Sequence, residues 1–146
     1  MKPIVEVKIE VRYAETDQMG VVHHAVYPIW FEVARTRLCA EAGQPYAHIE
    51  EAGFFLVVSG VDVTYREAAR YGDDLRVLAW VDWAASRALQ FSYEIRRAGD
   101  LVASGNTRHV WVDRKTQRHC RMPDFLRGVF LRLSGQQKLA GPRRQP

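Results

Sequence analysis

The chain has 146 residues, 47% of them hydrophobic and 26% charged, with a formal net charge of +4. That size and balance predict one soluble globular domain with a real core. They leave no room for a membrane span, since no apolar run approaches ~20 residues. The first residues, Met1-Lys2-Pro3-Ile4-Val5-Glu6, lack the apolar stretch of an export signal, so the expected location is cytoplasmic. The two cysteines, Cys39 and Cys120, have no metal-ligand spacing and are expected to stay reduced.

In chain order, the first predicted strand covers residues 4–13. Val5, Val7, Ile9, Val11 and Tyr13 alternate there with Glu6, Lys8, Glu10 and Arg12, the period of a sheet with one buried face. A polar loop follows, then a helix in which Tyr27, Trp30, Phe31, Ala34 and Leu38 recur at three- and four-residue steps. Pro28 belongs in a first helical turn, which sets the start between His24 and Tyr27, and Gly43 with Pro45 ends it. A short second helix is expected over 45–51. Four more strands are expected over 54–67, 75–83, 89–95 and 101–113, with turns at Gly72-Asp73-Asp74 and Ala98-Gly99-Asp100. A helix over 123–133 completes the domain, 1–133, and residues 134–146 read as a basic, disordered tail. One long helix and antiparallel strands make an α+β protein, a curved sheet wrapped around the helix. Leu78, Trp80, Val110 and Val112 place apolar groups on or near its outer face, where a subunit contact would use them.

The basic excess is uneven. Arg87, Arg96, Arg97, Arg108, Arg114, Lys115, Arg118 and Arg121 are opposed only by Glu94, Asp100 and Asp113. Such a face attracts polyanions, coenzyme A or nucleic acid among them, although most of these residues read as solvated surface.

The densest chemistry lies in the loop before the long helix. Asp17 sits near a helix start that is destined for the core. Unpaired N–H donors and a partial positive charge collect at such an end. A carboxylate beside them suits a reaction in which a carbonyl oxygen becomes negative. Asp17 also reads as a helix cap or Asx turn, although it lies some distance before the helix. Gly20 permits a positive φ. His23 and His24 are adjacent, so their side chains are expected to diverge and not to share a metal. Glu32 and Arg35, three apart, suit a structural ion pair. No Gly-x-Ser-x-Gly elbow, phosphate-binding Gly loop, dinucleotide fingerprint or zinc spacing is present.

Thr16-Asp17-x-x-Gly20-x-Val22-x-His24-x-x-Tyr27, followed by Glu32-x-Ala34-Arg35, resembles the signature of YbgC-type acyl-CoA thioesterases. These form part of the 4-hydroxybenzoyl-CoA thioesterase family of the hotdog fold. The resemblance spans roughly residues 5–130. It implies a five-stranded sheet around one central helix, hydrolysis of an acyl-CoA thioester, and no metal or other cofactor. By the same resemblance Asp17 is general base or nucleophile, and the His24 backbone N–H binds the thioester oxygen while its ring orients Asp17 or the substrate. Gly20, Val21, Tyr27 and Tyr65 then line the substrate site. Relatives often carry proline where this chain has Ala68, which leaves the local bend open. Coenzyme A phosphates would fall to Arg87, Arg114 or Arg118. An acyl-carrier protein is a possible substrate carrier, and neither nucleic acid nor membrane is an expected partner. Homodimers joined sheet edge to sheet edge, with active sites where protomers meet, and pairing of dimers into a homotetramer, are implied too. The alternatives are a thioester hydratase or dehydratase, and a hotdog protein that binds acyl-CoA or acyl-carrier protein without hydrolysis.

Overall fold

Residues 2–141 are described by the structure, a computed structural model. The N-terminal alternation becomes strand β1 (Val5–Glu10), whose odd-numbered residues are buried. It is shorter than the sequence predicts. The Glu15 carboxylate accepts the Arg12 N–H at 2.7 Å and closes a 3-10 turn, Tyr13–Glu15, which leaves Tyr13 78% exposed. A second 3-10 turn (His24–Val26) leads into helix α1 (Tyr27–Glu41), with Pro28 in its first turn as expected. Gly43, at φ +85°, ends it. Helix α2 (Tyr46–Glu51) follows.

The other strands are β2 (Phe54–Tyr65), β3 (Asp74–Ala84), β4 (Ala88–Arg97) and β5 (Asp100–Asp113), then helix α3 (Asp124–Ser134). They form one antiparallel sheet in the order β1-β3-β4-β5-β2. The sheet wraps α1, whose buried side presents Tyr27, Trp30, Phe31, Ala34 and Leu38 to the core. Leu75, Val77, Ala79, Val81, Leu89, Phe91, Tyr93 and Ile95 face it from the sheet. The Phe31 and Tyr93 rings stack at 4.3 Å. Gly105 on β5 is needed here, because a Cβ would strike the Phe31 ring and the Asp62 carbonyl. Helix α3 closes one end of the core, its Phe130 edge-on to Trp111 at 5.7 Å.

Three details depart from the sequence reading. The register of β3 slips between Val81 and Trp83, so Ala84 replaces Trp83 on the buried face. Val112 is buried, whereas Leu78, Trp80 and Val110 are half-buried. The chain is also ordered past Ser134. The Gln136 side chain bonds both the N–H and the carbonyl of Ala84, and Ala140 bridges Ala85. Residues 142–146 of the expected tail lie outside the described residues. Cys39 is buried and Cys120 half-buried, both free. Among the described residues, no helix is long and apolar enough to cross a membrane.

Candidate active site

The loop from β1 to α1 folds back on itself. Thr16 and Val22 form an antiparallel bridge. Inside it the Asp17 N–H donates to the Val21 carbonyl at 2.8 Å, and the Gly20 N–H donates to the Asp17 carbonyl at 3.0 Å. Gly20 takes φ +79°, with no atom within 4 Å of where a Cβ would stand. Its role is therefore the left-handed turn itself.

Asp17 is half-buried at this turn. Its Oδ1 accepts the Met19 N–H at 2.9 Å, an Asx turn. No hydrogen bond to its Oδ2 occurs among the described residues. Asp17 is not the helix cap. Val26 holds that position in α1, and His23 caps the preceding 3-10 turn, its Nδ1 accepting the Ala25 N–H at 3.1 Å. The two histidine rings do not diverge as expected. They stack at 4.2 Å, because the bend into the 3-10 turn swings them to one side. No cluster of metal-ligating side chains exists among the described residues.

The His24 N–H finds no protein acceptor among the described residues, while the N–H groups of Ala25 and Val26 are taken by His23. The His24 carbonyl accepts the Tyr65 hydroxyl at 2.7 Å. Tyr65 also meets the Tyr27 ring edge-on at 5.0 Å, and Tyr27 leans on Trp30 at 5.2 Å. Burial raises the hydroxyl pKa of both Tyr27 and Tyr65, so both stay protonated and neutral. Asp17, Gly20, Val21, His24, Tyr27 and Tyr65 thus belong to one assembly of loop, helix start and β2 end.

Glu15, which sequence reasoning passed over, fixes that assembly to the helix. It is only 6% exposed. Its carboxylate takes the Arg12 N–H and the Trp30 indole N–H, the latter at 3.2 Å, and its carbonyl takes the His23 N–H. A glutamate three residues after Arg12 was the available signal, since that spacing lets a carboxylate reach back to a backbone N–H. Arg35 is buried on α1 with the Glu32 carboxylate 3.9 Å away, the ion pair that the spacing suggested.

Arg87, Arg114 and Arg118 are not brought to Asp17 within the chain. Arg87 precedes β4, and Arg114 and Arg118 follow β5. The Asp17 loop lies at the opposite end of those strands, where Tyr65 pairs with Ala103 and Glu10 with Asp74. The ten residues of β4 alone span roughly 30 Å at ~3.3 Å each. Arg114 is tied down there, its N–H to the Gly53 carbonyl and its Nη1 to the Glu50 carbonyl at 3.1 Å.

Comparison with known proteins agrees with this architecture. Protein TT1821 of Thermus thermophilus superposes with a TM-score of 0.82 at 40% identity, over 90% of this chain and 98% of that one. The DHNA-CoA thioesterase of Staphylococcus aureus superposes with a TM-score of 0.82 at 30% identity, over 94% and 97%. The acyl-CoA thioesterase YbgC of Haemophilus influenzae is 26% identical, with 84% of this chain and 90% of the relative covered. The profile of the thioesterase-like superfamily matches residues 11–130, the whole stretch from the end of β1 to α3, and the chain belongs to that family.

Proposed function

We propose that this protein hydrolyses acyl-CoA thioesters to a carboxylic acid and free coenzyme A. The carrying observation is the pairing of two unspent groups: an Asp17 carboxylate fixed through one oxygen, and an open His24 N–H on a constrained helix start. Water, deprotonated by Asp17, adds to the thioester carbon. The oxygen that becomes negative takes its hydrogen bond from the His24 N–H, and the C–S bond breaks as the carbonyl reforms. The sulfur leaves as thiolate and takes up a proton. Asp17 acting as nucleophile gives the same products through an anhydride that water opens. His24 contributes through its backbone, and its ring is exposed. The acyl-CoA and DHNA-CoA thioesterases among the relatives support the reading.

The arginines join this reading through a second copy of the chain. Strand β2 is a 12-residue sheet edge with exposed Val57, Val58 and Val61 and no lysine or proline to discourage pairing. Antiparallel two-fold pairing about the middle of β2 sets Phe54 of one copy against Tyr65 of the other. Arg114 and Arg118 of the partner subunit then approach the Tyr65–His24 side, where a coenzyme A pyrophosphate would lie.

Incubation with a panel of acyl-CoAs and acyl-carrier proteins, with free thiol detected, tests the function. Release of thiol in step with acid supports hydrolysis. Water addition or loss on the acyl chain with the thioester intact would assign the protein to the hydratases.

A further inference from the structure

The segment 66–73 has neither helix nor strand, yet it must cross a wide gap. It joins β2 at one edge to β3, so it passes over the ends of β5 and β4. The active-site assembly leans on this segment. The N–H of Val22, the residue bridged to Thr16 at the base of the Asp17 loop, donates to the Ala69 carbonyl at 2.8 Å. The Tyr27 hydroxyl also lies against the Ala69 backbone, and Ala69 is fully buried.

Below the middle of the crossing stands Arg97, the last residue of β4. Its Nη1 donates to the Ala68 carbonyl at 2.9 Å and to Asp73 Oδ2 at 2.7 Å, and its Nη2 donates to Glu67 Oε2 at 3.0 Å. Asp73 Oδ2 in turn accepts the Arg70 N–H at 2.8 Å. The segment is also tied by the Arg66 and Glu67 N–H groups on the Val102 carbonyl, by the Asp73 N–H on the Arg70 carbonyl, and by the Tyr71 ring, which meets Tyr13 edge-on at 5.8 Å. Among the described residues, Arg97 supplies the side-chain bond to the Ala68 carbonyl, directly beside Ala69.

We infer that Arg97 is a positioning residue for the active site. It holds Ala68 and Ala69 in place, and through Ala69 it sets the Asp17 loop and the Tyr27 end of the helix. The inference rests on the thioesterase reading only for its catalytic consequence. Its structural half concerns the Val22 hydrogen bond and stands apart. Arg97 and its carboxylates are partly exposed, so their contribution to global stability is small. Their consequence is placement, and a misplacement of about 1 Å near reacting atoms can cost up to ~10²-fold in rate.

The test joins amide hydrogen exchange to kinetics in wild type, Arg97→Ala and Arg97→Lys. In Arg97→Ala the Val22 amide should exchange at least ~10-fold faster, while amides between β4 and β5 keep their protection. Turnover should fall ~10- to 10²-fold, with KM within ~3-fold of wild type. Arg97→Lys, which keeps one donor for Ala68 or Asp73, should fall between the two and guards against a poorly folding alanine variant. Unchanged Val22 exchange in both variants overturns the inference, whatever reaction the protein catalyses. So does a raised KM at unchanged kcat, which would make Arg97 a substrate contact.

Discussion

At Asp17 the Met19 N–H fixes one carboxylate oxygen, which leaves the other with a set direction rather than free rotation. Tyr65 does the equivalent for the proposed oxyanion donor, since its bond to the His24 carbonyl fixes the peptide plane next to the His24 N–H. Removing that hydroxyl in Tyr65→Phe should lower kcat by ~2- to 10-fold, the rate equivalent of one hydrogen bond worth ~0.5–1.5 kcal/mol. KM should hardly move, and steady-state kinetics with one acyl-CoA decides it. An unchanged kcat would remove Tyr65 from the positioning scheme. His109 gives a prediction of a different kind. It is buried on β5 with Nε2 2.8 Å from the Thr107 hydroxyl. Burial, helped by the charge of Arg35, lowers its pKa to about 3. The unfolded chain therefore binds a proton below pH ~6.5 that the folded protein refuses. This lowered pKa leaves stability intact above ~6.5 and erodes it as pH falls toward the folded value, by up to ~1.4 kcal/mol per pH unit. His109→Gln should lose that one-proton slope in urea unfolding between pH ~4.5 and ~6.5. Equal slopes in both proteins would contradict it.

Strand β2 shows what an element adds that its residues do not. One side pairs with β5 along its length, and the other side is open. Lysines at Val57 and Val61 should block edge pairing by charge and desolvation. Sedimentation velocity on Val57→Lys/Val61→Lys should then show monomers, with KM for acyl-CoA raised because the partner's arginines are gone. A monomer with an unchanged KM would show a site complete within one chain. Most elements were legible in the sequence, because period-two strands and a period-3.6 helix are local patterns. So was the Asp17–Tyr27 assembly, which lies within one stretch of eleven residues. What could not be read was contact across the chain. Arg97 reaches Ala68 and Glu67 about thirty positions away, a pairing that depends on strand order. The end of β1 was lost to a single carboxylate, Glu15, and the anchoring of residues 136–140 to one glutamine side chain. Arg87, Arg114 and Arg118 looked like one basic cluster, and they do share an end of the sheet. Composition could not show that Asp17 lies at the other end.

At the scale of the whole molecule, a thioesterase of this design separates its tasks along the sheet. In the proposed scheme one end of each chain holds the carboxylate and the oxyanion donor, and the other presents arginines to a partner's substrate. The assembly is expected to be at least a homodimer, with a tetramer as the form formed by pairing dimers. Removing Arg114 or Arg118 should raise KM for acyl-CoA at nearly constant kcat, leave acyl-pantetheine unaffected, and weaken the salt dependence of KM. If both alanine variants match wild type on both substrates, these arginines are plain surface. Asp17 carries the central claim, and one substitution isolates it. Asp17→Asn keeps the size of the side chain and the bond from Met19 but removes the charge that activates water. The measurement is kcat for thiol release from the best acyl-CoA of the panel, with the melting temperature followed in parallel. The account predicts a fall of at least ~10²-fold with folding intact. Turnover within a few-fold of wild type would contradict it.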